Sequence, residues 1–104
     1  MTLVITSKAP DEGGCLRMVG TLVRELAADG EEVHVLCYAD AVYNLLAGSR
    51  QFGEFGPLPA TFNAVDADVA ARGIAGKLST AVKRLDYGAV VDLVFAADRV
   101  VSCA

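Results

Sequence analysis

The chain is predicted to fold as a single-domain α/β three-layer sandwich, with an open, mostly parallel sheet of four to five strands and helices on both faces. Its 104 residues are typical of one domain. Short, continuously apolar runs alternate four or five times with stretches of helical periodicity. Such runs are typical of buried parallel strands. Their alternation with helices predicts right-handed crossovers that cover both faces of the sheet.

The first two strands are separated by a long amphipathic helix. Residues 2–6 are predicted to form the first strand, and a loop rich in glycine and proline follows it. A helix is then predicted over Gly14–Asp29, because apolar residues recur at helical spacing there. Gly30 is expected to end this helix, and the second strand covers Val33–Tyr38.

The middle of the chain is predicted to be less regular. Asp40 is a candidate N-cap for a short helix that ends at Gly48. The segment Ser49–Ala60 contains two Gly and two Pro without a period, so it is predicted to be a surface loop. Its Phe52 and Phe55 would need cover from the domain or from a partner.

The stretch around the third strand is the first place to look for chemistry. It contains a predicted strand over Thr61–Val65, a polar turn with Asp66 and Asp68, a short helix over Val69–Arg72, and Gly73 as its end. Ligands of open α/β sheets bind outside the carboxyl ends of the strands. The turn offers carboxylates that could serve as acid, base or metal ligands, or as one helix cap and one solvated Asp. It offers no Cys, His, Ser or Lys, so chemistry lies elsewhere or belongs to a partner.

The C-terminal third is predicted to complete the sheet. Ala75–Leu85 is expected to be irregular, with a short edge strand near 81–85. Asp86 is predicted to cap a helix over Tyr87–Ala97, with Val90, Val91, Val94 and Phe95 as its buried stripe. Arg99–Cys103 is predicted to be the last strand.

Composition excludes several functional classes. The formal net charge is −4, and the chain has no Lys/Arg run and no Trp, so direct binding of nucleic acid is not expected. No apolar run approaches the ~20 residues of a membrane span. The start of the chain lacks the features of a signal peptide, and a cytoplasmic location is expected. Hydrophobic residues make up 54% of the chain, which indicates either faces buried against other subunits or simply an alanine-rich composition.

The three cysteines lie at positions 15, 37 and 103 without CxxC spacing. This odd, dispersed set argues against a disulfide framework and against zinc, and it suits a reducing compartment. No metal site and no phosphate loop is predicted, and hence no cofactor. Cys37 is expected to pack in the core and Cys103 to behave as an exposed thiol near the terminus, while the single His34 is expected to be a polar strand residue.

Cys15 is the strongest candidate for a reactive side chain. It opens the first predicted helix, where the helix dipole and unpaired N–H groups favour the thiolate. Asp11 and Glu12 oppose that effect. The alternative is a cysteine that acts as a small hydrophobic residue at the start of a helix.

Four stretches in order resemble the DsrH/TusB branch of the sulfur-relay superfamily. The similarity is clearest over Asn63–Gly76, with its strand, acidic residue and A-R-G followed by a further Gly. It extends to Val35–Arg50, to Leu85-Asp86-Tyr87 and to Val91-Asp92-Leu93. The residues that carry the family pattern are Asp40, Asp68, Arg72, Gly73, Asp86 and Tyr87.

This resemblance implies that residues 1–104 form a DsrH/TusB-like sulfur-relay domain that assembles with DsrE-like and DsrF-like paralogues, or with itself. Such complexes pass persulfide sulfur toward 2-thiolation of the wobble uridine of tRNA or within sulfur oxidation. The carrier cysteine of the DsrE-type subunit corresponds here to Val65 or Asp66, so the resemblance implies an accessory, non-catalytic subunit. Two alternatives remain: Cys15 accepts persulfide itself, or the chain is a stand-alone oligomeric domain that binds a small ligand.

Overall fold

The computed structural model describes residues 1–10 and 15–103, the side chain of Cys15 excepted. Five strands and four α-helices alternate along this part of the chain, with a 3₁₀ helix after β2 and another after α3. In chain order they are β1 (Thr2–Thr6), α1 (Cys15–Ala28), β2 (Val33–Cys37), the 3₁₀ helix Ala39–Leu45, α2 (Arg50–Phe55), β3 (Thr61–Val65), α3 (Asp66–Ala71), the 3₁₀ helix Ala75–Lys77, β4 (Lys83–Leu85), α4 (Tyr87–Ala96) and β5 (Arg99–Cys103).

The strands form one parallel sheet in the order β4-β3-β2-β1-β5. Strand β2 lies in the centre, and β1 lies between β2 and the edge strand β5, with Thr2 opposite Val33 of β2 on one side and Arg99 of β5 on the other. Because all five strands are parallel, their carboxyl ends lie along a single edge of the sheet. The three-layer α/β sandwich predicted from the sequence is confirmed.

The larger core lies on the face of the sheet that α1, α2 and the first 3₁₀ helix cover. Alternate strand residues point into it, since successive side chains of a strand lie on opposite faces. The α1 helix contributes Val19 and Val23, with relative exposures of 1% and 0%. The strands contribute Val4, Val35, Cys37, Phe62 and Ala64.

The opposite face of the sheet has a smaller core beneath α4. Leu3, Leu36 and Val65 are buried there, and Val90 and Leu93 of α4 pack against them. The predicted stripe of α4 is therefore wrong in part, because Val91, Val94 and Phe95 are exposed. The helix YGAVVDLVFA is apolar around most of its circumference, so its sequence does not single out the side that faces the sheet.

The predicted loop 49–60 contains a helix instead. Ser49 caps α2: its Oγ accepts a hydrogen bond of 3.1 Å from the N–H of Phe52. Phe55 is buried and its ring stacks on Phe62, with 5.8 Å between centroids, while Phe52 meets the same ring edge-on at 6.2 Å. The domain itself therefore provides the cover that these aromatic side chains require.

Two predicted caps in the middle of the chain are also wrong. Asp40 lies in the first turn of a 3₁₀ helix that begins at Ala39, and Tyr38 occupies the capping position. The helix α3 begins at Asp66, earlier than predicted, with Val65 before it and no side-chain cap. Neither Asp66 nor Asp68 caps that helix, and both carboxylates bond to other parts of the chain.

Three further predictions agree with the structure, whereas the predicted start of the first helix at Gly14 lies outside the described residues and the helix expected to end at Gly48 ends at Leu45. Gly73 follows α3 with a φ of 65°, the left-handed conformation expected after a helix. Asp86 caps α4 by accepting a hydrogen bond of 2.8 Å from the N–H of Ala89. Strand β4 is a short edge strand within the segment predicted to be irregular. Among the residues described here, no helix is long and apolar enough to cross a membrane.

Candidate functional site

The carboxyl edge of the sheet gathers acidic residues from three crossovers. Asp40 follows β2, Asp66 follows β3 and Asp86 follows β4. These three strands are neighbours in the sheet, so their following residues approach one another. This is the edge at which open α/β proteins place their ligands.

Arg72 is the centre of this edge. Its Nε and Nη2 donate hydrogen bonds of 3.1 and 2.9 Å to Oδ1 of Asp40. Its Nη1 donates a hydrogen bond of 3.1 Å to the backbone carbonyl of Asp68 and lies 3.9 Å from that residue's Oδ1. The guanidinium also lies above the ring of Tyr43, 6.0 Å from its centroid. Arg72 is thereby held by residues from two crossovers.

Asp68 provides a second bond between those crossovers. Its Oδ2 accepts a hydrogen bond of 2.8 Å from the N–H of Ala39. Ala39 has a φ of 49°, a left-handed conformation that is rare for a residue with a Cβ. The carboxylate of Asp68 satisfies the backbone donor of this strained residue and so stabilises the sharp turn after β2.

The resemblance places the carrier cysteine of a DsrE-type subunit at one of two positions of this chain, Val65 or Asp66. The carboxylate of Asp66 is half exposed and accepts hydrogen bonds from Arg84, whose Nε and Nη2 lie 2.7 and 2.6 Å from Oδ1. The preceding residue, Val65, is buried under α4. The position therefore holds an ion pair and an apolar side chain, and neither can carry sulfur as a persulfide.

The six residues of the family pattern fall into two groups. Asp40, Asp68 and Arg72 form one network, and Gly73 ends the helix that carries two of them. Asp86 caps α4 and Tyr87 follows it with 69% of its side chain exposed. The structure thus assigns the first group to the joining of two crossovers and the second to the start of α4.

The structure describes the side chain of Cys37 but not that of Cys15. Cys15 is the first residue of α1, but its side chain lies outside the described residues, so its role as a persulfide acceptor stays a prediction. Cys37 is fully buried, and that burial raises the pKa of its thiol to about 12. Its expected role in core packing is confirmed.

Cys103 does not match its prediction. It is half-buried at the end of β5, opposite Thr6, and it is disulfide-bonded. The expectation of an ordinary exposed thiol is therefore wrong. The residue is paired in the sheet, because β5 is an edge strand that runs parallel to β1 up to this position.

His34 has two polar neighbours near the start of β2. Its Nδ1 lies 3.4 Å from Nδ2 of Asn63, and its Nε2 lies 3.5 Å from a carboxylate oxygen of Glu32. Asn63 also donates to the carbonyl of Val35 at 3.2 Å, which satisfies an amide that is almost fully buried. The structure agrees with the interpretation of His34 as a polar strand residue.

The acidic side chains at the carboxyl edge hold segments of the chain together. Within the described ranges, no group of three His, Cys, Asp or Glu side chains could hold a metal ion. Asp40, Asp66 and Asp68 all bond to a cation or to a backbone N–H. These three carboxylates are therefore engaged in contacts that join different segments of the chain.

Sequence reasoning missed Tyr43, the pairing of Asp66 with Arg84, and the exposed side of α4. The sequence places Tyr43 in a predicted short helix. Its contact with Arg72 joins two crossovers, so no local pattern predicts it. The exposed side of α4 had a signal in the sequence, because the helix contains a single charged residue, Asp92.

Comparisons with known proteins give the same fold. The ychN protein from E. coli is 16% identical with a TM-score of 0.78, and the match covers 97% of each chain. MTH1491 from Methanobacterium thermoautotrophicum is 21% identical with a TM-score of 0.76, over 94% of this chain and 96% of that one. BT1422 from Bacteroides thetaiotaomicron is 11% identical with a TM-score of 0.71, over 97% and 93%. At these identities the similarity shows the fold alone, and a comparison with curated proteins finds no match.

A family model is more specific than these structures. The model described as DsrH like protein matches residues 19–100, a range that includes every strand except β1 and the end of β5. It also includes the Arg72 network and the whole of α4. The chain belongs to the DsrH-like family.

Proposed function

We propose that this chain is an accessory, non-catalytic subunit of a sulfur-relay complex, and that it acts through contacts with DsrE-like and DsrF-like paralogues. The complex would pass persulfide sulfur toward 2-thiolation of tRNA wobble uridine or within sulfur oxidation. Membership of the DsrH-like family supports a role of this class. The position of the carrier cysteine supports the accessory role, because Asp66 there is bound to Arg84.

The observation that carries the proposal is the exposed apolar side of α4. Phe95 is 84% exposed, Val91 49% and Val94 41%, and Val100 of the following strand is 45% exposed. Residues 91, 94 and 95 lie on one side of the helix, because their spacing matches its period. A contiguous exposed apolar surface of this kind is typically a site of contact with another protein.

The composition of α4 agrees with a contact that is buried in an assembly. None of its residues is buried within this chain, although nine of its ten residues carry no charge. A helix that is apolar on all sides is normally covered on all sides. Here the sheet covers only the side with Val90 and Leu93, so a partner is needed for the other side.

The test is assembly with the paralogues. The chain is co-expressed with its neighbouring DsrE-like and DsrF-like gene products, and the complex is isolated through a tag on one of them. We expect a stable complex with the wild-type chain and none with Val91→Asp/Phe95→Asp. Met18→Asp is the matched control, because Met18 is 68% exposed on α1, away from this surface, and it should assemble normally.

Persulfide transfer by the reconstituted complex separates the accessory role from the carrier role. We expect Cys15→Ala to assemble normally and to reduce sulfur transfer without abolishing it. Loss of all transfer with assembly intact would make this chain a carrier and would contradict the accessory role. Failure of the wild-type chain to bind either paralogue would contradict the proposal as a whole.

A further inference from the structure

A second surface feature lies between α1 and α2. There the chain forms a cleft with a volume of about 640 Å³. Pockets for small molecules have volumes of roughly 300–1,000 Å³, so this cleft has the right size for one. It shares no lining residue with the Arg72 network or with the exposed side of α4. Its lining residues are Leu16, Arg17, Gly20, Thr21, Arg24, Arg50, Gln51, Gly53, Glu54, Phe55, Pro57 and Leu58.

Three arginines line this cleft, and none of them has a partner among the residues that the structure describes. Arg17, Arg24 and Arg50 are exposed, and their side chains make neither an ion pair nor a hydrogen bond with any described residue. The other arginines of the chain do bond internally: Arg72 to Asp40, Arg84 to Asp66, and Arg99 to Thr2. The arginines without a partner are thus concentrated at one site.

The charge of the cleft is opposite to that of the whole chain. The chain has a net charge of −4, yet among the described residues that line the cleft there is one carboxylate, Glu54, against three guanidinium groups. Cations of the same sign repel one another when they share a cleft, and an anion that enters relieves the repulsion. The cleft therefore attracts negatively charged ligands to a protein that otherwise repels them.

The positions of the arginines indicate the size of the anion. Arg17 and Arg24 are seven residues apart on α1, two turns of helix, so their backbones are separated by about 10 Å on the same side. Arg50 begins α2 on the facing wall. A guanidinium nitrogen of Arg24 lies 3.5 Å from the point where a Cβ would project from Gly20, so this side chain extends back along α1 toward Arg17. Gly20, buried and without a side chain, leaves room between them.

We propose that this cleft binds a small molecule that carries two or more linked phosphate groups. Guanidinium groups bind phosphate oxygens through paired, charge-assisted hydrogen bonds. Linked phosphates span the distance between the arginines better than one small anion does. A nucleoside diphosphate and inorganic polyphosphate share this chemistry, and the proposal does not depend on the relay function.

Calorimetric titration of the intact chain tests the proposal with inorganic triphosphate, inorganic diphosphate, adenosine diphosphate and inorganic orthophosphate as probes. We expect triphosphate to bind at one site per chain and orthophosphate to bind much more weakly. Arg17→Gln, Arg24→Gln and Arg50→Gln should each weaken triphosphate binding at least about fivefold. Lys83→Gln removes the same charge from the exposed edge strand β4 and should bind triphosphate as the wild type does.

The diphosphate experiment separates the two sources of phosphate. Tighter binding of adenosine diphosphate than of inorganic diphosphate would support a nucleotide, and equal binding would support an inorganic polyphosphate. Absence of triphosphate binding to the wild type would overturn the proposal, as would an equal loss of affinity in Lys83→Gln and in the arginine variants. A glutamate-rich peptide is the last probe: if it binds through the same arginines while triphosphate does not, the cleft takes an acidic protein segment and the proposal is wrong.

Discussion

Arg72 binds Asp40 through two nitrogens of one guanidinium group, with Nε and Nη2 at 3.1 and 2.9 Å from the same carboxylate oxygen. The two residues are 32 positions apart and belong to different crossovers. Asp68 adds a bond to the N–H of Ala39 in the same region. These contacts fix the turn after β2 against the helix after β3, so the carboxyl edge of the sheet behaves as one unit.

A double-mutant cycle on Asp40→Asn and Arg72→Gln should reveal the strength of that contact. The carboxylate of Asp40 is 60% exposed, so solvent screens the pair, and we expect a coupling free energy of about 0.5–1 kcal/mol. The measurement is urea unfolding of the wild type, both single variants and the double variant. Asp40→Asn with Arg84→Gln is the control cycle and should be additive, since those residues share no contact. Equal coupling in the two cycles would show that the Arg72 contact contributes nothing of its own.

Gly73 and Gly76 form a matched pair for testing backbone strain. Gly73 has a φ of 65°, and an added Cβ would meet nothing within 4 Å at either position. Gly73→Val should therefore destabilise the chain through its backbone alone, by about 1 kcal/mol or more. Gly76→Val adds the same side chain without a positive φ and should change the melting temperature less. An unchanged melting temperature in Gly73→Val would contradict the assigned end of α3.

Features that depend on neighbouring residues were predictable from the sequence. The segment Thr61–Val65 was predictable as a strand because Thr, Phe and Val favour strands, and Asp86 caps α4 because its partner is the N–H of Ala89 three positions on. Gly73 ends α3 for an equally local reason. The family resemblance also rests on such short stretches, and the family model confirms it.

Features that depend on distant partners were not predictable. Asp40 resembles a helix cap in sequence, and only the fold brings Arg72 to its carboxylate. The helix α2 was hidden because it is only six residues long, contains Gly53 and is followed closely by two prolines, although Ser49 was available as its cap. The buried side of α4 was misassigned because valine stands on both sides of that helix, and packing on the sheet decides which side is covered.

The burial of Cys37 leads to two predictions about its thiol. Iodoacetamide should not modify Cys37 in the folded chain and should modify it in urea, because the thiolate does not form in the core. Mass spectrometry of peptides after alkylation distinguishes Cys37 from the other cysteines. Modification of Cys37 at neutral pH without denaturant would show that this strand opens.

The stability of the chain should also depend on this thiol at high pH. Folding raises the pKa of Cys37 from 9.0 to about 12, so the folded state holds the proton that the unfolded state releases. The contribution is therefore complete below pH 9 and is lost as the pH rises through the window from 9 to about 12. We expect the difference in free energy of unfolding between the wild type and Cys37→Ala to be constant below pH 9 and to shrink above it. A constant difference throughout would contradict the buried, neutral thiol.

Phe55 and Phe95 should respond to substitution in opposite ways, and this contrast tests where the chain meets its partners. Phe55 is 2% exposed and stacks on Phe62, so Phe55→Ala should reduce the free energy of unfolding by about 3–5 kcal/mol. Phe95 is 84% exposed on α4, so Phe95→Ala should change the free energy of unfolding by no more than about 0.5 kcal/mol.

Sedimentation velocity of the chain, alone and with the paralogues, should show weaker association for Phe95→Ala, since the apolar area that a partner would cover is reduced. A wild-type chain that remains a monomer at high micromolar concentration and binds neither paralogue would contradict this assignment of α4. So would normal association of Phe95→Ala, because the most exposed aromatic ring of the surface would then contribute nothing to the contact.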